Sequence, residues 1–372
     1  IGPGSVTTNY AYRPDNGDAR SFALETVTHP DGTHTYFEYD AQGRLSATRL
    51  DGDEETVTLE YDHLGTVTST DELGHERTLR IGAHGEILER INPLGEHHRF
   101  GYDEHLDLRR IEQPDGTAFE LDYDTRGNPI AVTSPGRSTV RMASTAIPVR
   151  MDWFEDALEQ VLDFDYENGQ PVGITYPDVS TEAFSYDSVD GDLETFTNRR
   201  TEVMVFDHDD LGELTDINSP DGSWIDLAHD ENERTWAFTD AVGTTTIDFD
   251  DRGLLDTVTD SAGRTVTSTV NDAGRRVRFE TDDGFILDYG YDAVGRLESL
   301  TNGDGFEIVR YSYDAAGRLE REDRGNGAYS IYVYDAADRL LSVTHHAPGG
   351  AVQSFFAYTY DAVGNPVTMT TG

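Results

Sequence analysis

Along most of the chain, apolar residues recur at every second position in short segments. Val57, Leu59 and Tyr61 sit two apart, as do Phe119, Leu121 and Tyr123. Ile247 with Phe249, Tyr289 with Tyr291, Tyr311 with Tyr313 and Tyr358 with Tyr360 repeat the pattern, and Thr, Ser, Glu and Arg mostly fill the positions between. A period of two with β-branched and aromatic enrichment predicts strands that hide one face from water. Helical spacing is confined to Trp153, Phe154, Ala157, Leu158, Val161 and Leu162. That stretch fits a short helix or a worn strand pair, and the register of the surrounding repeat favours strands.

The strands are punctuated by a recurring heptad. It reads YDAQGRL from Tyr39, YDTRGNP from Tyr123, YDAVGRL from Tyr291, YDAAGRL from Tyr313 and YDAVGNP from Tyr360. Looser copies begin at Tyr61, Phe249, Val270 and Tyr334, and worn ones at Tyr102, Phe164, Tyr186 and Phe206. Successive starts share one period, as from Tyr39 to Tyr61 or from Tyr291 to Tyr313, and the step doubles where a copy has eroded, as from Tyr61 to Tyr102. The last step, from Tyr334 to Tyr360, holds an insertion near Pro348-Gly349-Gly350. Midway between the heptads lies a second punctuation, such as Pro93-Leu94-Gly95, Pro114-Asp115-Gly116, Pro220-Asp221-Gly222 and Ser261-Ala262-Gly263. Each unit of about 21 residues therefore holds two turns and two segments of about six residues, the usual strand length.

About fifteen hairpins, or about thirty strands, follow from that spacing. At ~4.8 Å per strand the sheet would be ~140 Å across, and curled once it would be ~45 Å wide. Open sheets beyond about ten strands curl or split, and a curl this wide is too large for side chains to fill. The expected fold is all-β: one array over residues 1–372, eroded at about 137–165, in which tandem hairpins form a long antiparallel sheet that curls into a spiral, hollow shell. The rival is a propeller of four-stranded blades, two units to a blade. Against it, the Tyr-Asp signal recurs in every unit rather than in every second one.

Within the heptad, the Tyr is expected to anchor the hairpin. The Asp accepts backbone N–H groups in an Asx-type turn, and the Gly supplies positive φ. Asp338 occupies the Gly slot of one copy, a position Asp tolerates better than most residues. Arg44, Arg296, Arg318 and Arg339 follow the Gly slot and lie within reach of an Asp, so stacked turns would build an Asp–Arg ladder. Clustered Asp-x-x-Gly turns could alternatively hold calcium.

Composition narrows the function. The chain has 372 residues, 72 acidic and 28 basic, for a net charge of −44. That balance excludes a bare nucleic-acid binder and disfavours an anionic membrane surface. Every basic residue is Arg, and Cys is absent. Disulfides, thiol nucleophiles and Cys-ligated metals are therefore excluded. High acid without Lys suits high salt, where self-repulsion is screened; stability is then expected to rise from low to molar salt. No run of about 18 apolar residues could span a bilayer as a helix.

Motif and spacing together resemble the YD repeat of bacterial RHS proteins, the BC components of insecticidal toxin complexes, wall-associated bacterial toxins and animal teneurins. The resemblance runs from about Phe22 to Pro366. It implies a β-ribbon shell that, in a secreted RHS-type polymorphic toxin, encloses a C-terminal toxin until delivery. The partners implied are that cis-encoded toxin domain and further repeats of the same polypeptide. The location implied is secreted or cell-surface. The alternative role is teneurin-like adhesion or glycan binding, with Trp153, Trp224 and Trp236 as candidate stacking residues. The core protease with an Asp-Pro motif, common in such toxins, has no counterpart here, and the chain is read as a segment of a longer polypeptide.

Enzyme signatures are thin. There is no Gly-x-Ser-x-Gly elbow, Walker loop or His-Glu-x-x-His motif, so a propeller hydrolase is the weakest reading. The pairs His97-His98 and His345-His346 would point to opposite faces of a strand. No catalytic, cofactor or metal residue is assigned, and the chain is expected to be non-enzymatic.

Overall fold

The computed structural model describes residues 7–30, 32–144, 150–230 and 234–372. Among them are thirty-four strands, from β1 (Asn9–Tyr12) to β34 (Pro366–Thr371), and no α-helix. Each strand pairs antiparallel with the next, in one open meander. No separate blades form, which excludes the propeller. Thirty-four strands make seventeen hairpins, more than the fifteen expected, because the strands that end at Tyr12, Ile81, Ser144 and His229–Asp230 each pair antiparallel with the next although no clear heptad follows them. The stretch around Trp153 is β14 (Met151–Glu155) and β15 (Val161–Glu167), not a helix.

Two of the worn copies lie two residues further on than their spacing suggested. In β15 the hairpin ends at Tyr166, where Asn168 and Gly169 make a two-residue turn with both φ positive. Such turns match strand twist, and Phe164 is left in mid-strand opposite Ile174. Likewise His208, not Phe206, takes the Tyr slot: Asp209 is the turn acceptor and Phe206 faces Ile217. In both copies the aromatic residue that looked like the motif is a facing residue of the sheet.

Pairing register divides the ribbon into two faces. One carries an apolar stripe in which Phe100 faces Ile111, Leu121 faces Val132, Phe184 faces Phe196, Trp236 faces Ile247 and Leu300 faces Val309. The other is polar: Glu120 faces Thr133, Thr175 faces Thr181, Thr257 faces Thr267 and Arg278 faces Asp288. Among the described residues, no second layer covers the stripe. The accessible surface is 21841 Å², about 1.5 times the ~14,800 Å² of a compact protein of this mass. Matched valines identify the concave side. On the apolar face Val309 and Val343 are 7% and 9% exposed; on the polar face Val203, Val205 and Val333 are 41%, 38% and 47% exposed. In a curved single layer, side chains converge on the inside and splay outside, so the apolar face is the inner one.

The curl is tighter than a single circuit. Arg275 reaches Glu55, Arg339 reaches Asp115, and Val363 packs on Gly136. Each pair joins turns separated by twenty-one strands in chain order. One circuit is therefore ~100 Å round and ~32 Å across at the wall, and the remaining strands overlap the first coil. In all three contacts the heptad edge of the later coil sits on the mid-unit edge of the earlier one.

Candidate functional site

The repeated chemistry lies along the heptad edge. In the first clear copy, Asp40 Oδ1 accepts the backbone N–H groups of Gln42 and Arg44, both at 2.9 Å, and Gly43 has φ +80°. Arg44 Nε donates to Asp40 Oδ2 at 2.7 Å. Its guanidinium also lies 4.3 Å from the ring centre of Tyr61, the next heptad's Tyr, whose hydroxyl donates to the Leu45 carbonyl at 2.8 Å. The same clasp recurs from Arg296 to Tyr313, from Arg318 to Tyr334 and from Arg339 to Tyr360. Asp338 holds φ +62° in the Gly slot. Each heptad thus closes its own turn and fastens the following hairpin by a cation–π contact and a side-chain-to-carbonyl bond. The sequence indicated the Asp–Arg pair. It hid the Arg-over-Tyr step, whose signal is that Gly-Arg-Leu in one unit is followed by the Tyr that opens the next, as Arg44 is by Tyr61.

The Asp oxygens are occupied by these donors. Among the described residues, no three His, Asp or Glu side chains are arranged to hold a metal ion. Several turn carboxyls are held below their ordinary range. The dominant donor is the backbone N–H of Thr66 for Asp62, of Asn128 for Asp124 and of Asn365 for Asp361, and the Arg264 side chain for Asp260. A folded pKa below the unfolded value stabilises above the unfolded value, ~3.9, and that stability is lost as pH falls through the folded one. Urea midpoints should therefore be flat from neutral pH to about 5 and fall below about 4. Asp226 is the exception. It faces Asp216 directly across the pair of strands β20 (Leu214–Asn218) and β21 (Trp224–Asp230), and the hydrogen bond shared with Asp216 raises its pKa. A raised carboxyl costs stability once ionised, so Asp226→Asn should raise the melting temperature at neutral pH, with the gain shrinking towards pH 4.

The histidine pairs split as strand geometry requires. His97 turns to Glu89 at 2.8 Å on the outer face, and His98 points inward. His345 meets Ser330 at 2.8 Å, with Arg324 3.2 Å from the same hydroxyl. This Ser–His contact resembles a nucleophile and its base, but Ser330 has no exposed surface, so no substrate can reach it. The three tryptophans form no common platform. Trp236 is wedged between His229 and Phe249 on the inner face, whereas Trp153 and Trp224 are on the outer face, seven strands apart.

Comparison with known proteins agrees with this geometry. A Teneurin YD-shell family profile matches residues 239–371, and an RHS Repeat profile matches residues 102–139. Over these two stretches the hairpins resemble YD/RHS repeats. Among solved structures, this chain is similar to TcdB2-TccC3 lacking its hypervariable C-terminal region, with 16% identity over 92% of this chain and 22% of that one and a TM-score of 0.63. It is also similar to TcdB2-TccC3-Cdc42, at 15% identity over 98% and 24% of the two chains and a TM-score of 0.60. At these identities the likeness is one of fold, and the chain spans about a quarter of those chains' length. No protein of curated description matches. Among the described residues, no helix is long and apolar enough to cross a membrane.

Proposed function

We propose that this chain is a non-enzymatic wall segment of a secreted RHS/YD-repeat toxin, enclosing a C-terminal toxin domain of the same polypeptide until delivery. The observation that carries this reading is an unbroken, single-layer wall whose apolar face is concave and uncovered. Such a face left to water would be a liability, and a partly unfolded chain held inside would satisfy it. Further repeats of the polypeptide would extend the two outer strands, β1 and β34, each of which has one edge without a partner strand among the described residues. The similar solved structures, TcdB2-TccC3 and TcdB2-TccC3 without its hypervariable C-terminal region, support the choice of a cis-encoded occupant over a separate ligand. The placement of the tryptophans weighs against a glycan platform.

The test is limited proteolysis of the chain produced together with its flanking polypeptide. Enclosure predicts a C-terminal segment that resists protease while the wall is folded and is digested once denaturant opens it. Digestion at the same rate in both states would overturn the proposal.

A further inference from the structure

Where the later coil lies on the earlier one, the wall is joined differently from everywhere else. Along the ribbon, each strand is laddered to its neighbour by backbone hydrogen bonds. Across the coils, no strand pairing and no backbone–backbone hydrogen bond is found among the described residues. What crosses is side chain: Arg275 to Glu55, Arg339 to Asp115 at 3.0 Å, and Val363 against Gly136. The joint is also loosely filled. Cavities of about 290, 300 and 400 Å³ lie along it, each lined from both coils, by His34 and Arg252, by Thr56 and Arg296, and by Glu72 and Tyr289 respectively.

Charge acts on this joint in two opposing ways. The heptad arginines of the later coil meet carboxylates of the earlier coil, a local attraction between part-buried side chains. The coils as wholes repel. Residues 1–140 contain 26 acidic and 12 basic residues, a net −14; residues 252–372 contain 18 and 11, a net −7. At low salt the repulsion acts over the whole overlap, since the screening length is about 30 Å at 0.01 M; at 1 M it shrinks to about 3 Å, which spares contact pairs and removes the rest.

We propose that this coil-on-coil seam is a salt-gated opening line: closed at molar salt, it parts at low ionic strength while every hairpin stays folded. The wall would then unroll laterally without unfolding. This holds whether or not the shell encloses a cargo.

The chain's lack of cysteine gives a direct test. A Cβ built on Gly136 would lie 3.9 Å from the Val363 Cβ, within the span of a disulfide, and Gly136 does not have positive φ. Small-angle X-ray scattering and circular dichroism would be followed from about 3 M to about 0.01 M NaCl, on the unaltered chain and on oxidised Gly136→Cys/Val363→Cys. The expected result is a maximum dimension near ~60 Å at high salt that rises beyond ~100 Å at low salt, towards the ~160 Å of a flat thirty-four-strand ribbon. The β-sheet dichroism should be unchanged, and the disulfide-locked variant should stay closed. Arg339→Glu should move the opening to higher salt. A dimension constant with salt, a rise accompanied by loss of β-sheet signal, or opening of the locked variant would each overturn the proposal.

Discussion

Gly43→Val is expected to destabilise the hairpins around it by roughly 3 kcal/mol, against roughly 1–2 kcal/mol for Gly116→Val. Both glycines have φ near +80°, which a β-branched side chain adopts only under strain. The difference lies in what the new Cβ meets. At Gly43 it would fall 2.2 Å from the Ala19 carbonyl oxygen, so backbone must move; at Gly116 nothing lies within 4 Å. Repeat arrays lose stability locally, through nearest-neighbour contacts. The check is therefore amide hydrogen exchange in β3 (His34–Tyr39) and β4 (Leu45–Leu50), read beside the strands that flank Gly116. Equal loss of protection at both sites would mean that the Ala19 approach carries no energetic weight.

Arg318→Ala is expected to cost about 2–3 kcal/mol, because charge-assisted hydrogen bonds and a cation–π contact are lost together. Arg318 pairs with Asp314 at 2.7 Å and Asp338 at 2.8 Å, bonds the Asp335 carbonyl at 3.0 Å, and lies 5.0 Å from the Tyr334 ring centre. Its side chain is only 16% exposed, so these contacts are less diluted by solvent than a surface pair. Arg318→Lys should recover only part of the loss, since an ammonium cannot fork between these partners. Arg44→Ala, at a side chain 43% exposed, should cost less than about 1 kcal/mol. Urea denaturation of the three variants gives the order. If Arg318→Ala matched Arg44→Ala, the clasp between hairpins would be a coincidence of geometry with no hold on the fold.

Much of this wall was legible in the residues. Alternation gave the strands, because a one-residue slip would carry the whole stripe from Phe100 to Val309 to the wet face. Asp and Gly at fixed offsets gave the turns, since a positive φ and an N–H acceptor are local demands. Erosion misled the reading only where another residue took over the local job. Asn168-Gly169 makes a tighter turn without the heptad, and His208 stands in for Tyr, so Phe164 and Phe206 mimic a role they do not hold. The tightness of the curl was not legible. It depends on how far each strand twists against its neighbour, and it shows only in contacts between residues far apart along the chain, such as Arg339 with Asp115. The clasp was half legible: Arg and Asp share one turn, whereas the Tyr beneath the Arg belongs to the next hairpin.

The wall is hollow and a single layer thick, with about ten strands to each half circuit. Spin labels at Asp163→Cys in β15 and Thr267→Cys in β25 (Thr265–Val270), both on the outer face, lie half a circuit apart. Pulsed electron–electron resonance at molar salt should give one distance near ~40 Å, the width of the wall plus the two labels; two sheets collapsed face to face, ~10 Å apart, would give about 20 Å instead and contradict the account.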